Sequence, residues 1–135
     1  MSRNTLAGSC LCGAIRYEVE GPARYLGNCH CPTCRKQHGS AFSTYADFDA
    51  AGWKLLCGDN ELQTYRSSPP VKRQFCGVCG SNLFYLDENE PDKVWVAAGT
   101  LDDDPGTTIG GHIFVGSKAP WYHITDSLPQ CNDLP

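Results

Sequence analysis

The stretch NCHCPTCRKQHGSAF, residues 28–42, sets Cys29, Cys31 and Cys34 within six residues, with His30, Arg35, Lys36 and His38 beside them. Thiols at that spacing can converge on one soft metal ion, and three of them are one short of the closed tetrahedral shell of a structural zinc. A zinc held by Cys29, Cys31 and Cys34 keeps one position for water or an incoming substrate atom, which is the pattern of a catalytic site. Three thiolates leave the ion and its ligands with a net charge of about −1, a modest Lewis acid that still binds and deprotonates a thiol. Sulfur chemistry is the use this set predicts.

Neighbours in an extended Cys-His-Cys run point to opposite sides, so His30 is expected to face away from a metal held by Cys29 and Cys31. His38, His112 and His123 stand alone in the sequence and read as surface or hydrogen-bonded structural residues. The competing account of the triplet is a second structural zinc, its fourth ligand being one of these histidines or Cys57.

Four more cysteines form two pairs, Cys10 with Cys12 in CLCG and Cys76 with Cys79 in FCGVCGS. A C-x-x-C turn followed by glycine is a zinc-ribbon knuckle: it supplies two thiolates, and glycine relieves crowding where backbone amides turn toward the sulfurs. The other half of the shell is then Cys10 and Cys12, giving a closed four-cysteine site that fastens the start of the chain to its middle and contributes to folding. A redox pair at Cys76 and Cys79 would want a βαβ context, which the sequence does not offer. Cys57 and Cys131 stay single, and the sequence assigns them no role.

These sites need a frame. The chain has 135 residues, 41% apolar and 19% charged, with nine cysteines, fourteen glycines and a formal net charge of −4. That length suits one domain, read here as residues 5–130. The opening MSRNTLAGSCLCG lacks the apolar run of a secretory signal, and no stretch of about 20 apolar residues could span a bilayer. A reducing cytoplasm is the expected setting, where clustered cysteines are metal ligands or catalytic thiols sooner than disulfides. An acidic chain whose one dense basic run is VKRQF argues against nucleic acid and membrane surfaces as partners.

The elements that would carry the cysteines are mostly strands. AIRYEV (14–19) alternates Ile15, Tyr17 and Val19 with Arg16 and Glu18, the period of a half-buried strand. AFSTYADF (41–48), VKRQF (71–75), NLFYL (82–86), KVWVAAG (93–99) and GHIFV (111–115) read the same way, with DENEPD as a six-residue hairpin loop. No segment holds a helical period over ten positions. One short helix is expected from Pro32, suited to a first helical position, to Gly39, and another turn at LDDDP (101–105). The fold class is mainly β and mainly antiparallel, with short helical pieces.

Taken together, GSCLCGAIRYEV, NCHCPTCRKQHGSAF, FCGVCGSNLFY and GHIFVGSKAPWYHI resemble the glutathione-dependent formaldehyde-activating enzyme family, whose eukaryotic relative is centromere protein V. The resemblance spans Gly8 to Gln130. It implies a β-tent fold related to methionine sulfoxide reductase B, with a structural zinc on Cys10, Cys12, Cys76 and Cys79 and a catalytic zinc on Cys29, Cys31 and Cys34. The implied activity is that of a carbon–sulfur lyase of the S-hydroxymethylglutathione synthase type, adding glutathione to formaldehyde or another small electrophile. Glutathione carries two carboxylates, for which Arg35, Lys36, Arg73 and Lys118 are the candidate anchors. Two other readings stay open: a noncatalytic zinc-stabilised binding module, and a redox sensor whose triplet releases zinc on oxidation.

Overall fold

Alternation builds the first layer. In the computed structural model, which describes residues 4–133, Tyr17 and Val19 of β2 (Arg16–Gly21) are fully buried, while Arg16 and Glu20 are exposed. This strand runs between β1 (Asn4–Ser9) and β5 (Trp53–Cys57), antiparallel to both, in a three-stranded sheet.

The second sheet has seven strands: β3 (Tyr25–Cys29), β4 (Ser43–Asp49), β6 (Leu62–Ser68), β7 (Val71–Cys76), β8 (Asn82–Asp87), β9 (Lys93–Ala97) and β10 (Gly111–Ile113). Their order is β10-β3-β4-β9-β8-β7-β6. All neighbours are antiparallel except β10, which runs parallel to β3, so the sheet is mainly antiparallel, as expected, with one parallel pair at its edge.

The sheets meet through a core in which Leu6, Tyr17 and Val19 pack with Leu26, Ala46, Phe48, Phe84, Val94 and Val96. Phe84 receives Tyr17 and Trp53 edge-on, at ring separations of 5.0 and 4.8 Å. Since strand residues alternate in direction, the second face of the large sheet must carry Tyr25, Gly27, Cys29, Tyr45, Asp47, Tyr85, Lys93 and Trp95. Register lines up Asp47, Trp95, Tyr85 and Arg73 as one row across β4, β9, β8 and β7.

The helix α1 spans Pro32–His38, as expected. Pro32 opens it, Cys31 caps it by accepting the Cys34 N–H at 3.3 Å, and Gly39 ends it in the left-handed conformation, φ 60°. That last geometry is one that glycine adopts without steric cost.

Four strands carry no clear alternation. The β3 segment is buried at Leu26, Gly27, Asn28 and Cys29 in succession, and β6 is polar and largely exposed at the sheet edge. Small residues blur β1, and β5 is exposed at Leu56 and Cys57. The second helical turn falls at Ala98–Thr100, one step before LDDDP. Asp102 and Asp103 instead accept from the Ser9 hydroxyl (2.9 Å) and the Ala7 N–H (2.7 Å), tying this segment to β1. Asp87 joins β8 by pairing with Val71, which shortens the hairpin loop at one end.

The closest fit lies within the three-stranded sheet at Gly8, which pairs with Tyr17 across β1 and β2 and where an added Cβ would fall inside the buried Tyr17 ring. Gly8→Ala is therefore expected to lower unfolding stability by about 1–3 kcal/mol, read as a lower denaturant midpoint at unchanged slope.

Candidate metal centres and active site

All nine cysteines are free, and seven of them gather in two groups. In the first, the sulfurs of Cys10, Cys12, Cys76 and Cys79 all lie within 4.8 Å of one another, with Cys10 and Cys12 separated by 3.6 Å and Cys12 and Cys76 by 3.9 Å. Backbone amides aim at these sulfurs. Ile15 N–H donates to Cys10 Sγ at 3.3 Å, and the Val78 and Cys79 amides donate to Cys76 Sγ at 3.3 and 3.5 Å. Side-chain and backbone hydrogen bonds from Ser81 pull the Cys79 thiol down to about 5. Amides that favour thiolate and four converging sulfurs fit a closed zinc shell.

The second group is Cys29, Cys31 and Cys34, again within 4.8 Å of one another. Cys29 ends β3, Cys31 caps α1 and Cys34 sits on its buried side. Arg73, only 5% exposed, reaches them from β7: its Nη1 donates to Cys34 Sγ at 3.6 Å and to Gln37 Oε1 at 2.7 Å. Its Nε donates to Ser67 Oγ at 3.0 Å, and its guanidinium lies 5.0 Å from the centre of the Tyr85 ring. Hydrogen bonds from Cys29 and Cys31, then from Ser43, and the Arg73 charge hold the Cys34 thiol far below its ordinary value despite burial. The same crowding pushes Cys29 up. A donor set of three thiols, one strongly acidified, fits a zinc with three protein ligands.

His30 lies outside both groups, on the other side of β3 as alternation requires. It is fully buried, and its Nε2 meets His112 Nδ1 at 2.8 Å, while His112 Nε2 meets the Asp126 carboxylate at 3.0 Å. A carboxylate only accepts, so His112 carries its proton on Nε2 and its Nδ1 accepts from His30 Nε2–H. His30 Nδ1 is left as a buried acceptor. Burial, and then the neighbouring charges of His112, Lys118 and Arg35, lower His30 to about 4. His38 shares a hydrogen bond of 3.1 Å with the Tyr45 hydroxyl, and His123 is exposed.

The three cysteines close one end of a cavity of about 570 Å³, within the range of small-molecule sites. Its lining includes the row Asp47, Trp95, Tyr85 and Arg73, together with Phe114 and Lys93. Gly27 keeps the floor low, since a Cβ there would come within 2.5 Å of the Tyr25 ring. Of the four expected cationic anchors only Arg73 lines this space. Arg35 and Lys36 do not, and Lys118 Nζ donates instead to the Ala119 and Tyr122 carbonyls at 3.2 and 2.6 Å. Lys93, which spacing did not single out, is the second cation, 3.5 Å from Glu90. Its signal was the alternation of KVWVA, which puts Lys93 and Trp95 on the face away from Val94 and Val96. Cys57 and Cys131 belong to neither cysteine group.

Phe114 has left-handed backbone, φ 57° and ψ 37°, which costs a bulky residue about 1–3 kcal/mol. Its carbonyl accepts from Ser117 Oγ at 3.0 Å, and its N–H donates to the Asp133 carbonyl at 3.2 Å.

The family model described as glutathione-dependent formaldehyde-activating enzyme matches residues 5–117, both cysteine groups included. The chain belongs to this family. A Halomonas elongata protein named as a candidate glutathione-dependent formaldehyde-activating enzyme is 32% identical over 129 residues, covering 88% of this chain and 80% of its own. A Schizosaccharomyces pombe protein named as an uncharacterized lyase is 28% identical over 120 residues, 88% of this chain and 85% of its own. A crystal structure of a Rhodobacter sphaeroides protein shares the fold, with a TM-score of 0.65 at 22% identity over 78% of this chain and 98% of that one. Among the described residues no helix is long and apolar enough to cross a membrane.

Two outcomes follow from the geometry. Cys76→Ser should abolish cooperative folding along with one zinc, whereas Cys34→Ser should lose one zinc and keep a cooperative transition, as read by native mass spectrometry and thermal melts. His30 is depressed in the folded state, so between pH 6.5 and about 4 the unfolded chain takes a proton that the folded chain refuses. Stability should fall across that window, and His30→Gln should fall less steeply, with zinc content followed in parallel.

Proposed function

We propose that the chain is a zinc-dependent carbon–sulfur lyase that joins glutathione, or a thiol like it, to formaldehyde or another small electrophile. The observation that carries this reading is the placement of Cys29, Cys31 and Cys34, together with Arg73, at the wall of the cavity. A zinc on these three cysteines would supply a Lewis-acid position that favours the thiolate form of an incoming thiol. The four-cysteine group would hold a second zinc as a structural staple.

The chain's own residues do the rest. Arg73 offsets the negative charge of the thiolates without leaving its bonds to Gln37 and Ser67, so it acts on the metal ligands, and Lys93, paired with Glu90 at 3.5 Å, is the cavity cation that would meet a substrate carboxylate by exchanging that partner. Burial holds the Tyr45 and Tyr85 hydroxyls above their ordinary range, so both keep their protons in the cavity wall. The walls would hold thiol and carbonyl together, which raises their effective concentration. In the joining direction a sulfur–carbon bond forms, the carbonyl π bond opens, and the thiol proton ends on the carbonyl oxygen; the lyase direction is the reverse.

Native mass spectrometry of the zinc-loaded protein should show two zincs per chain and one glutathione adduct. Cys31→Ser should keep the fold, lose the adduct and lose accelerated exchange between aldehyde and thiol adduct. A folded Cys31→Ser protein with unchanged exchange would overturn the reading, and one zinc with no adduct would favour a zinc-stabilised binding module.

A further inference from the structure

We infer that the electrophile accepted at this site carries an apolar arm, alkyl or aryl, seated between Trp95 and Phe114. The inference rests on the proposed thiol addition and names the class of its second substrate.

Formaldehyde presents one carbon and one oxygen, and offers an apolar wall nothing to hold. The surface around the cysteines is nonetheless built for contact: Cys29, Cys34, Tyr45 and Ala97 form one apolar cluster, with Trp95 and Phe114 packed against it. Glutathione does not account for that wall. It is an ionised, polar tripeptide; its ammonium matches Asp87 or Glu90 and a carboxylate matches Lys93, and these lie at the β8–β9 end of the cavity.

Phe114 is the decisive residue. Glycine would occupy its left-handed backbone freely, yet a large ring stands there, and the surroundings hold it in place. Ser117 Oγ bonds its carbonyl, Asp133 accepts from its N–H, and two residues earlier His112 is locked between His30 and Asp126. Backbone strain kept at a cavity wall, where a smaller residue would relieve it, is what a specificity-determining side chain requires. The backbone that carries the ring is set before any substrate arrives.

The chemistry is unchanged in kind: the thiol sulfur bonds to the aldehyde carbon, the carbonyl π bond opens and the thiol proton goes to oxygen, giving a hemithioacetal that keeps the arm. An added apolar group in a fitted pocket is worth about tenfold or more in kcat/KM.

The test is two-dimensional NMR exchange spectroscopy on the zinc-loaded full chain with glutathione and, in turn, formaldehyde, hexanal and phenylacetaldehyde. Enzyme-accelerated exchange should favour hexanal or phenylacetaldehyde over formaldehyde by about tenfold or more in kcat/KM. In Phe114→Gly, where relief of the left-handed backbone offsets part of the packing lost with the ring and a cooperative melt checks the fold, that ratio should drop toward unity. A formaldehyde preference in the unaltered protein, or a ratio unmoved in Phe114→Gly, would overturn the inference while leaving the thiol addition standing. No acceleration with any aldehyde would remove both.

Discussion

Because successive strand residues face opposite ways, Phe48, Phe84 and Val96 cannot enter the core between the sheets without sending Asp47, Tyr85 and Trp95 to the other side. The packing that holds the sheets together thereby also arranges the cavity. A slip of one residue in β8 or β9 would exchange the two sets, placing aromatic cavity residues in the core and core residues in the site. The row from Asp47 to Arg73 inherits its precision from a buried face that tolerates little change in register.

The four-cysteine group complements this constraint at the end of the sheets. Cys12 and Cys76 are 64 residues apart in sequence, and closing a loop of that length costs entropy that the sheets alone must otherwise offset. A metal shell on these four cysteines would bring the β1–β2 turn against the β7–β8 knuckle and fix both sheets at one point. It leaves the three-cysteine group, at the end of β3, free of that duty.

Much of this was readable in the residues themselves. Cysteine spacing named both groups, Pro32 and Gly39 bounded the helix, and alternation placed β2, β7, β8 and β9. The remainder depends on partners far apart in sequence. His30, His112 and Asp126 each look isolated along the chain, and only the parallel pairing of β10 with β3 brings the two histidines together. Local charge likewise misled: Arg35, Lys36 and Lys118 are near the motifs but not in the cavity. Arg73 is there, yet its guanidinium is engaged by Cys34, Gln37, Ser67 and Tyr85.

The parallel strand β10 has a consequence at its outer side. A three-residue edge strand would expose unpaired backbone groups to any passing strand, the usual opening for edge-to-edge aggregation. Here residues 129–133 cover it: His112 N–H donates to the Pro129 carbonyl, Cys131 N–H to the His112 carbonyl, and Val115 N–H to the Cys131 carbonyl. The segment after the family match thus acts as a selvedge, a finished border that keeps the sheet from being extended by another molecule. Fusions or trims at this border would unravel solubility first, well before they reached the cysteines.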